Sequence, residues 1–227
     1  MFTPAELFDL SQTEHAAVFD AEAPAWEALP RLAKYLAAEL QPASHATVSP
    51  QAVIGAMVFL GEGTVVEPGA YIEGPAIIGR NCQIRHGAYV RANVIVGDDC
   101  VIGNSSELKN SLLFNDCQVP HFNYVGDSIL GHHAHLGAGA VLSNLKSMPG
   151  NITVGHAEDA HDTGLRKFGA LIGDRAELGC NSVLNPGSII GRDSVVYPNT
   201  NWRGVLPANR IAKNRGQQEV VERNPAQ

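Results

Sequence analysis

The sequence predicts an all-β protein built as a parallel β-helix, and three observations support this prediction. An apolar residue recurs at every sixth position, a small residue precedes most of these by two positions, and glycine often follows them. The composition agrees, because 44% of the 227 residues are hydrophobic but only 6% are aromatic, and 23 are glycine. These proportions exclude a disordered chain and favour a narrow core of small and aliphatic side chains.

The first run of repeats extends from Val48 to Phe114. Its members are all apolar: Val48, Ile54, Leu60, Val66, Ile72, Ile78, Ile84, Val90, Val96, Ile102, Leu108 and Phe114. Alternate residues of a strand share a face, so each apolar residue and the small residue two positions earlier point inward. Three repeats close one coil of about 18 residues. Cys82 and Cys100 should therefore stack inside as core thiols, not as a metal pair.

A second set of repeats continues the β-helix in a shifted phase. Its apolar members are Leu130, Leu136, Leu142, Met148 and Val154, followed by Ile172, Leu178, Leu184, Ile190, Val196 and Trp202. The two sets predict one solenoid of about eight coils over residues 48–202.

Two interruptions of the repeat are expected to carry function. The spacing from Phe114 to Leu130 is not a multiple of six, so the ladder should slip within Asn115–Ser128 and turn side chains outward. Residues 155–169 contain Glu158, Asp159, His161, Asp162, Arg166 and Lys167. We interpret this second stretch as a loop that leaves the solenoid.

The two ends of the chain lack the repeat. Within residues 1–47, Trp26, Leu29, Leu32, Leu36 and Leu40 have helical spacing. A helix near Arg31–Leu40 is expected to cap or flank the open end of the solenoid, where strand edges would otherwise be exposed. Residues 203–227 are expected to form a polar tail.

Charge and hydropathy narrow the class of function. The net charge is −7 and the pI about 5.7, and no basic run is present, which disfavours nucleic-acid binding. No stretch approaches the roughly 20 apolar residues that span a bilayer. No secretory signal is visible, and the four cysteines form no CxxC pair. We therefore expect a cytoplasmic protein with reduced thiols and no membrane or nucleic-acid partner.

Several motifs carry a resemblance to a known family. They are Glu107-Leu108-Lys109, the run from His121 to Ser128 with its H-x-x-Y-x-G-D element, Leu136-Gly137-Ala138-Gly139, Asn144, and Arg166–Gly173. The repeat resembles the left-handed β-helix of hexapeptide acyltransferases. More narrowly, the chain resembles the acetyltransferase half of the bifunctional enzymes that acetylate glucosamine-1-phosphate and then make UDP-N-acetylglucosamine.

The resemblance implies a role for each matching residue on the acceptor side. His121 would be the general base that takes the proton of the sugar amine, a task that suits an imidazole near neutral pH. Arg91 and Lys109 would hold the sugar phosphate. Tyr124 and Asn144 would contact the sugar and its amine. Lys167 would lie near the phosphate and the acyl carrier.

The resemblance also implies acetyl-CoA as co-substrate. Ala138 and Cys180 match positions whose backbone lines the acetyl-CoA channel, and Arg203 is a candidate for the 3′-phosphate of CoA. Members of the family are trimers with each site between adjacent subunits, so a homotrimer is expected. A sugar phosphate is then the small-molecule partner.

Two departures from the family pattern stand out. His135 replaces the asparagine that the family has two residues before Gly137, which leaves the acceptor and the acyl group open. The nucleotidyltransferase domain has no counterpart in the 47 residues before the repeat, so no uridylyl transfer is expected of this chain.

Simpler interpretations of the same residues remain open. His121, Arg91, Lys109, Lys167 and Arg203 could be solvated surface residues, Asp127 could stabilise a turn after Gly126, and Asn144 could cap its neighbours. The scaffold could also serve another amino-sugar acceptor, or act as an assembly partner for a separate nucleotidyltransferase.

A histidine-rich run raises a metal-dependent alternative. His132, His133 and His135 suggest a γ-carbonic-anhydrase-like zinc site on the same scaffold. The arginine and aspartate context of that family is missing, so no metal site is expected.

Overall fold

A computed structural model describes residues 2–155, 160–214 and 216, and its strands form three parallel sheets around one prism. The first sheet contains β1 (Ala43–Ser44), β4 (Val58–Leu60), β7 (Ala76–Ile78), β10 (Val94–Val96), β13 (Ser111–Leu113), β16 (Ile129–Leu130), β21 (Ala170–Ile172), β24 (Ser188–Ile190) and β27 (Val205–Leu206). The second contains β2 (Thr47–Val48), β5 (Val65–Val66), β8 (Gln83–Ile84), β11 (Val101–Asn104), β14 (Gln118–His121), β17 (His135–Leu136), β22 (Glu177–Leu178), β25 (Val195–Val196) and β28 (Ile211–Ala212). The third contains β3 (Val53–Ile54), β6 (Tyr71–Ile72), β9 (Tyr89–Val90), β12 (Glu107–Lys109), β15 (Tyr124–Gly126), β18 (Val141–Leu142), β23 (Val183–Leu184) and β26 (Asn201–Trp202).

The predicted fold class, an all-β left-handed parallel β-helix, is confirmed. The number of coils is about nine, where eight were predicted. The difference lies at both ends, because the first coil already begins at Ala43 and the last continues to Ala212. Leu206 and Ala212 belong to the buried core. Residues 203–212, predicted as a polar tail, thus form part of the helix.

The predicted interior is observed for most of the first run. The apolar residue of each strand and the small residue before it fill one continuous core. Cys82, Cys100 and Cys117 are buried in it, and each thiol donates to a backbone carbonyl oxygen, for example Cys82 Sγ to Gly97 O at 3.1 Å. The prediction of core thiols is confirmed.

The slip in the ladder differs from the prediction. Val96 is paired with Leu113, so Leu113 points into the prism in the place assigned to Phe114. One shortened corner therefore lies between Leu108 and Leu113, before the predicted segment. A second lies between Val125 and Leu130, and both corners take five residues from one inward residue to the next instead of six.

Phe114 consequently lies on the outside of the prism. Its ring is buried against the N-terminal segment, with centroids 5.1 Å from Phe8 and 5.9 Å from Phe19. The prediction that Phe114 fills the prism is wrong. Because the corner before it is one residue shorter, Leu113 takes the inward position, and Phe114, the next residue, points to the opposite face of the strand.

The loop that leaves the prism is longer than predicted. The chain departs after Leu142 and returns at Ala170, so the loop begins well before residue 155. It contains a two-stranded antiparallel pair, β19 (Thr153–Val154) with β20 (His161–Asp162). Met148 is 74% exposed and Val154 packs outside the prism, which corrects their assignment to the ladder. Glu158 and Asp159 lie outside the described residues.

The N-terminal segment lies along one side of the prism instead of capping its end. It contains α1 (Pro4–Leu7), short 3-10 turns at Leu10–Gln12, Ala16–Val18 and Ala25–Glu27, and α2 (Ala28–Glu39). The apolar stripe of α2, Leu29, Leu32 and Leu36, is buried with the outward residues of the first sheet. Those outward residues are Ile77, Ile95, Leu112, Ile129, Leu171 and Ile189. Among the described residues, the segment thus packs on the outward residues of the first sheet, and its buried cluster contains no outward residue of the other two sheets.

None of the described helices has the length and apolarity that a membrane crossing requires.

Candidate active site

His121 lies at the corner between the second and third sheets, where β14 ends. Its side chain is exposed, whereas its backbone is fixed: the His121 N–H donates to Asn123 Oδ1 at 3.0 Å, and its carbonyl accepts from Gly139 N at 2.9 Å. Asn123 is buried and donates to Gly137 O at 2.8 Å. The imidazole is therefore presented to solvent from a rigid corner, as a proton acceptor for a bound substrate requires.

Ala138 and Cys180 lie at the same corner as His121, in the next two coils of the prism. Asn181 N donates to Ala138 O at 2.8 Å, and Asn199 N donates to Cys180 O at 2.9 Å, in the same pattern that joins Gly139 to His121. Among the described residues, no backbone hydrogen bond uses the N–H of Ala138 or of Cys180. The structure thus aligns His121 with both predicted cofactor-binding residues and leaves two backbone donors available there.

Asp127 forms the centre of a second polar group at the far end of β15. Its side chain is only 7% exposed. It accepts hydrogen bonds from Lys109 Nζ at 3.3 Å, from Asn110 Nδ2 at 2.8 Å and from Asn144 Nδ2. A buried carboxylate needs such partners to offset its desolvation. We call Asp127, Lys109, Asn110 and Asn144 the Asp127 cluster.

Tyr124 joins the cluster through Asn144. Asn144 Nδ2 donates to Tyr124 Oη at 3.2 Å, and burial, followed by the charges of Glu107 and Asp127, raises the pKa of Tyr124. A Cβ atom on Gly126 would lie 2.6 Å from Tyr124 Oη and 2.7 Å from Asn144 Nδ2. Glycine in the H-x-x-Y-x-G-D element therefore leaves room for the close approach of these two side chains, which a larger residue would displace.

Arg91 lies beside the cluster on the same sheet. Its Nη1 atom is 2.9 Å from Glu107 Oε1, and its guanidinium lies 5.8 Å from the centre of the Tyr89 ring. The hydrogen bond to Glu107 raises the pKa of Arg91. Each of the two predicted phosphate-binding cations, Arg91 and Lys109, thus has a carboxylate partner within the chain.

Lys167 and Arg203 are placed differently from each other. Lys167 is exposed and immediately precedes Phe168, whose N–H donates to Asn144 O at 3.0 Å. The returning loop therefore brings Lys167 to the Asp127 cluster. Arg203 follows β26, across the width of the third sheet from the corner that holds Ala138 and Cys180. Within one chain, the structure does not bring Arg203 together with those two residues.

Three residues of the site were missed or undervalued in the sequence. Asp127 was interpreted as a turn residue, and Glu107 and Asn110 received no role. A signal was present for Asp127 and Asn110, since they stand 17 residues apart, close to one coil. Residues separated by about one coil lie at stacked corners of the prism.

His132, in the histidine-rich run, has polar neighbours within its own chain. Nδ1 of His132 lies 3.1 Å from Asn115 O and 3.5 Å from Asp116 Oδ2. Residues 2–155, 160–214 and 216 contain no group of three or more histidine, cysteine, aspartate or glutamate side chains that could hold a metal ion.

Comparison with known proteins supports the resemblance found in the motifs. A family profile described as "GMPPB C-terminal domain" matches residues 72–159. "Bifunctional protein GlmU" of Methanococcus vannielii is 35% identical over 96 residues, which cover 42% of this chain and 23% of that protein. The chain resembles the bifunctional sugar-1-phosphate proteins. "Bifunctional sugar-1-phosphate nucleotidylyltransferase/acetyltransferase" of Sulfurisphaera tokodaii is 34% identical over 94 residues, 41% of this chain and 23% of that protein.

The chain therefore spans about a quarter of the length of the curated relatives that it matches. Solved structures of similar fold include a UDP-N-acetylglucosamine acyltransferase of Arabidopsis, at 15% identity and a TM-score of 0.41, covering 78% of this chain and 72% of that one. Another is a mutant of perosamine N-acetyltransferase from Caulobacter crescentus in complex with CoA and GDP-perosamine. It has 21% identity and a TM-score of 0.30, covering 76% of this chain and 54% of that one.

Proposed function

We propose that this chain is an acetyl-CoA-dependent N-acetyltransferase whose acceptor is an amino-sugar phosphate of the glucosamine-1-phosphate type. The observation that carries the proposal is the shared corner of His121, Ala138 and Cys180. A general base there stands beside two available backbone N–H donors. The Asp127 cluster lies beyond the other end of β15, one side of the prism away, because Asp127 follows Phe122 by five residues, roughly 16 Å of extended chain.

The reaction uses His121 as the base. Its neutral imidazole takes a proton from the sugar amine as the nitrogen attacks the thioester carbonyl carbon of acetyl-CoA. A C–N bond forms, the C–S bond breaks, and the coenzyme A thiolate leaves and takes the proton back from the imidazolium. The N–H groups of Ala138 and Cys180 donate to acetyl-CoA, where an oxyanion develops on the thioester oxygen.

Lys109 and Asn144 of the Asp127 cluster bind the acceptor together with Arg91 and Tyr124. Lys109 Nζ and the Arg91 guanidinium supply the charge that a phosphate group requires. Asn144 and Tyr124 offer polar groups to the sugar, and Lys167 adds a further cation where the loop returns. Asp127 orients Lys109 and Asn144, so it acts as a positioning residue and not as a group that contacts the acceptor.

The open corner fits a site that is completed by other copies of the chain. His121 is exposed, and the second and third sheets carry no covering segment from the same chain among the described residues. We propose a homotrimer in which a neighbouring copy closes this corner. In that arrangement, Arg203 of a neighbouring copy would reach the 3′-phosphate of coenzyme A, which the position of Arg203 within one chain does not allow.

One observation favours a second candidate acceptor. Arg91 and Lys109 are paired with Glu107 and Asp127, so the net positive charge available to a phosphate is small. An amino sugar whose phosphates are linked to a nucleotide, and lie further from the amine, would depend less on these two cations. Such an amino-sugar nucleotide is the alternative acceptor.

Coenzyme A release by the full chain tests the proposal. Acetyl-CoA is supplied with glucosamine-1-phosphate, with glucosamine, or with a UDP- or GDP-linked amino sugar, and the product is identified by mass spectrometry. We expect N-acetylation with the highest kcat/KM on glucosamine-1-phosphate. Preference for a nucleotide-linked sugar supports the alternative acceptor, and absence of acetylation of every acceptor contradicts the proposed function.

A further inference from the structure

Phe122, the residue after His121, combines a disfavoured backbone with an exposed side chain. Its φ angle is 52°, in the left-handed region, and its side chain is 62% exposed. Fourteen described residues other than glycine have positive φ, and the other thirteen are polar or charged. A bulky apolar residue in this conformation is an outlier that calls for an explanation.

The residue at the position of Phe122 adopts the left-handed conformation in successive coils. Phe122 N donates to Asn104 O at 2.9 Å, in the pattern that Gly139 and Asn199 repeat further along the corner. The equivalent residues are Gly69, Gly87, Ser105, Gly139, Asn181 and Asn199, with φ between 54° and 77°. Glycine, asparagine and serine thus occupy the site elsewhere, and Phe122 is the exception.

Packing within the chain does not account for this exception. The ring is mostly exposed, and the equivalent residues in the coils before and after it, Ser105 and Gly139, are small. An exposed ring contributes little hydrophobic stabilisation, while the left-handed backbone disfavours it. The side chain therefore serves something other than the fold of a single chain.

We infer that Phe122 is a binding residue for the acyl donor, with its ring packed against the acetyl-thioester end of acetyl-CoA; this inference rests on the proposed function. Phe122 lies on the same corner as Ala138 and Cys180, whereas the cations and amides proposed for the acceptor lie at the far end of β15. The methyl, thioester and methylene groups of the donor match an apolar ring better than a sugar phosphate does.

The variant Phe122→Asn separates binding from folding because the two effects have opposite signs. Asparagine tolerates the left-handed region, so the variant should gain about 2–4 °C in Tm. Loss of the ring should raise the KM for acetyl-CoA roughly tenfold and leave the KM of the amino sugar unchanged. Ser105→Asn is the matched control, since it makes the same replacement one coil earlier. It should leave both KM values unchanged.

A measurement of equilibrium binding tests this inference separately from the proposed reaction. Calorimetric titration of the full chain with acetyl-CoA needs no acceptor, and Phe122→Asn should weaken the Kd about tenfold. If the parent chain binds acetyl-CoA but acetylates no amino sugar, the proposed reaction fails while the inference stands. The inference would be overturned by an unchanged Kd and KM for acetyl-CoA or by a change confined to the KM of the amino sugar. A fall in Tm, or a parent chain that does not bind acetyl-CoA, would also overturn it.

Discussion

Asn110 Nδ2 donates a hydrogen bond to Asp127 Oδ1 at 2.8 Å, which joins the two corners where the β-helix takes five residues instead of six. Both residues have positive φ, 45° and 47°. The two shortened corners stack, and the Asp127 carboxylate also accepts a hydrogen bond from Lys109. The proposed acceptor site thus lies where the chain departs from the six-residue repeat.

Replacing Asp127 with asparagine should destabilise the protein. The new amide group would face the donors of Lys109, Asn110 and Asn144, and the buried ion pair with Lys109 would be lost. We expect the free energy of unfolding to fall by about 1–3 kcal/mol in urea denaturation. Asp193→Asn is the matched control, because Asp193 also has positive φ but pairs with exposed Arg175.

That control should cost no more than about 1 kcal/mol. Equal losses in the two variants would show that the Asp127 cluster contributes no more than a surface ion pair.

Thiol labelling should distinguish Cys180 from the other cysteines. The Cys100 thiol and burial raise the pKa of Cys82, burial raises that of Cys100, and Cys117 is also buried. Cys180 is exposed. Because the thiolate is the reactive form, a maleimide at neutral pH should add once to the native chain, at Cys180, as read by mass spectrometry.

Acetyl-CoA should slow this labelling, since Cys180 lies on the proposed donor corner. Cys180→Ser should remove the native adduct altogether. Labelling of Cys82 or Cys100 in the native protein would contradict the closed prism, and labelling unaffected by acetyl-CoA would contradict the donor site.

His15 should make the stability depend on pH. Burial lowers its pKa below the ordinary value of 6.5, against the opposing charges of Glu14, Asp98 and Glu39. The unfolded chain therefore binds the proton more readily than the folded one, so stability falls as pH drops below about 6.5 and is fully present above it. His15→Gln should flatten the change in Tm between pH 7.5 and 5.5.

The exposed His161 supplies the control for this measurement. His161→Gln should keep the slope of the parent chain, and an unchanged slope in His15→Gln would contradict the assignment.

The six-residue repeat predicted the prism. It did not predict, for every apolar residue, whether the side chain points into the prism or out of it. Leu112, Leu113 and Phe114 are consecutive apolar residues, so the sequence fits a six-residue step to Phe114 as well as a five-residue step to Leu113. Only the corner at Asn110 decides between them. Val154 was misplaced for a similar reason, because an apolar residue in phase can pack against the N-terminal segment instead of the prism.

The sequence points to candidate site residues where they lie on one short segment. His121 and Tyr124 belong to one motif and lie on the consecutive strands β14 and β15, whereas Asp127, in the same motif, was interpreted only as a turn residue. The pairing of Arg91 with Glu107 and of Lys109 with Asp127 depends on which corners stack. That register follows from the two shortened corners, which the periodicity alone does not locate.

The most direct test of the account compares two histidines on the same corner. His86 lies two coils before His121, and its Nδ1 atom is 2.7 Å from Pro68 O, away from the proposed substrates. With acetyl-CoA and the preferred amino sugar, His121→Ala should lower kcat by about 10²–10⁴-fold, while His86→Ala should retain the parental rate. Full turnover in His121→Ala, with both variants folded to the same Tm, would contradict His121 as the base.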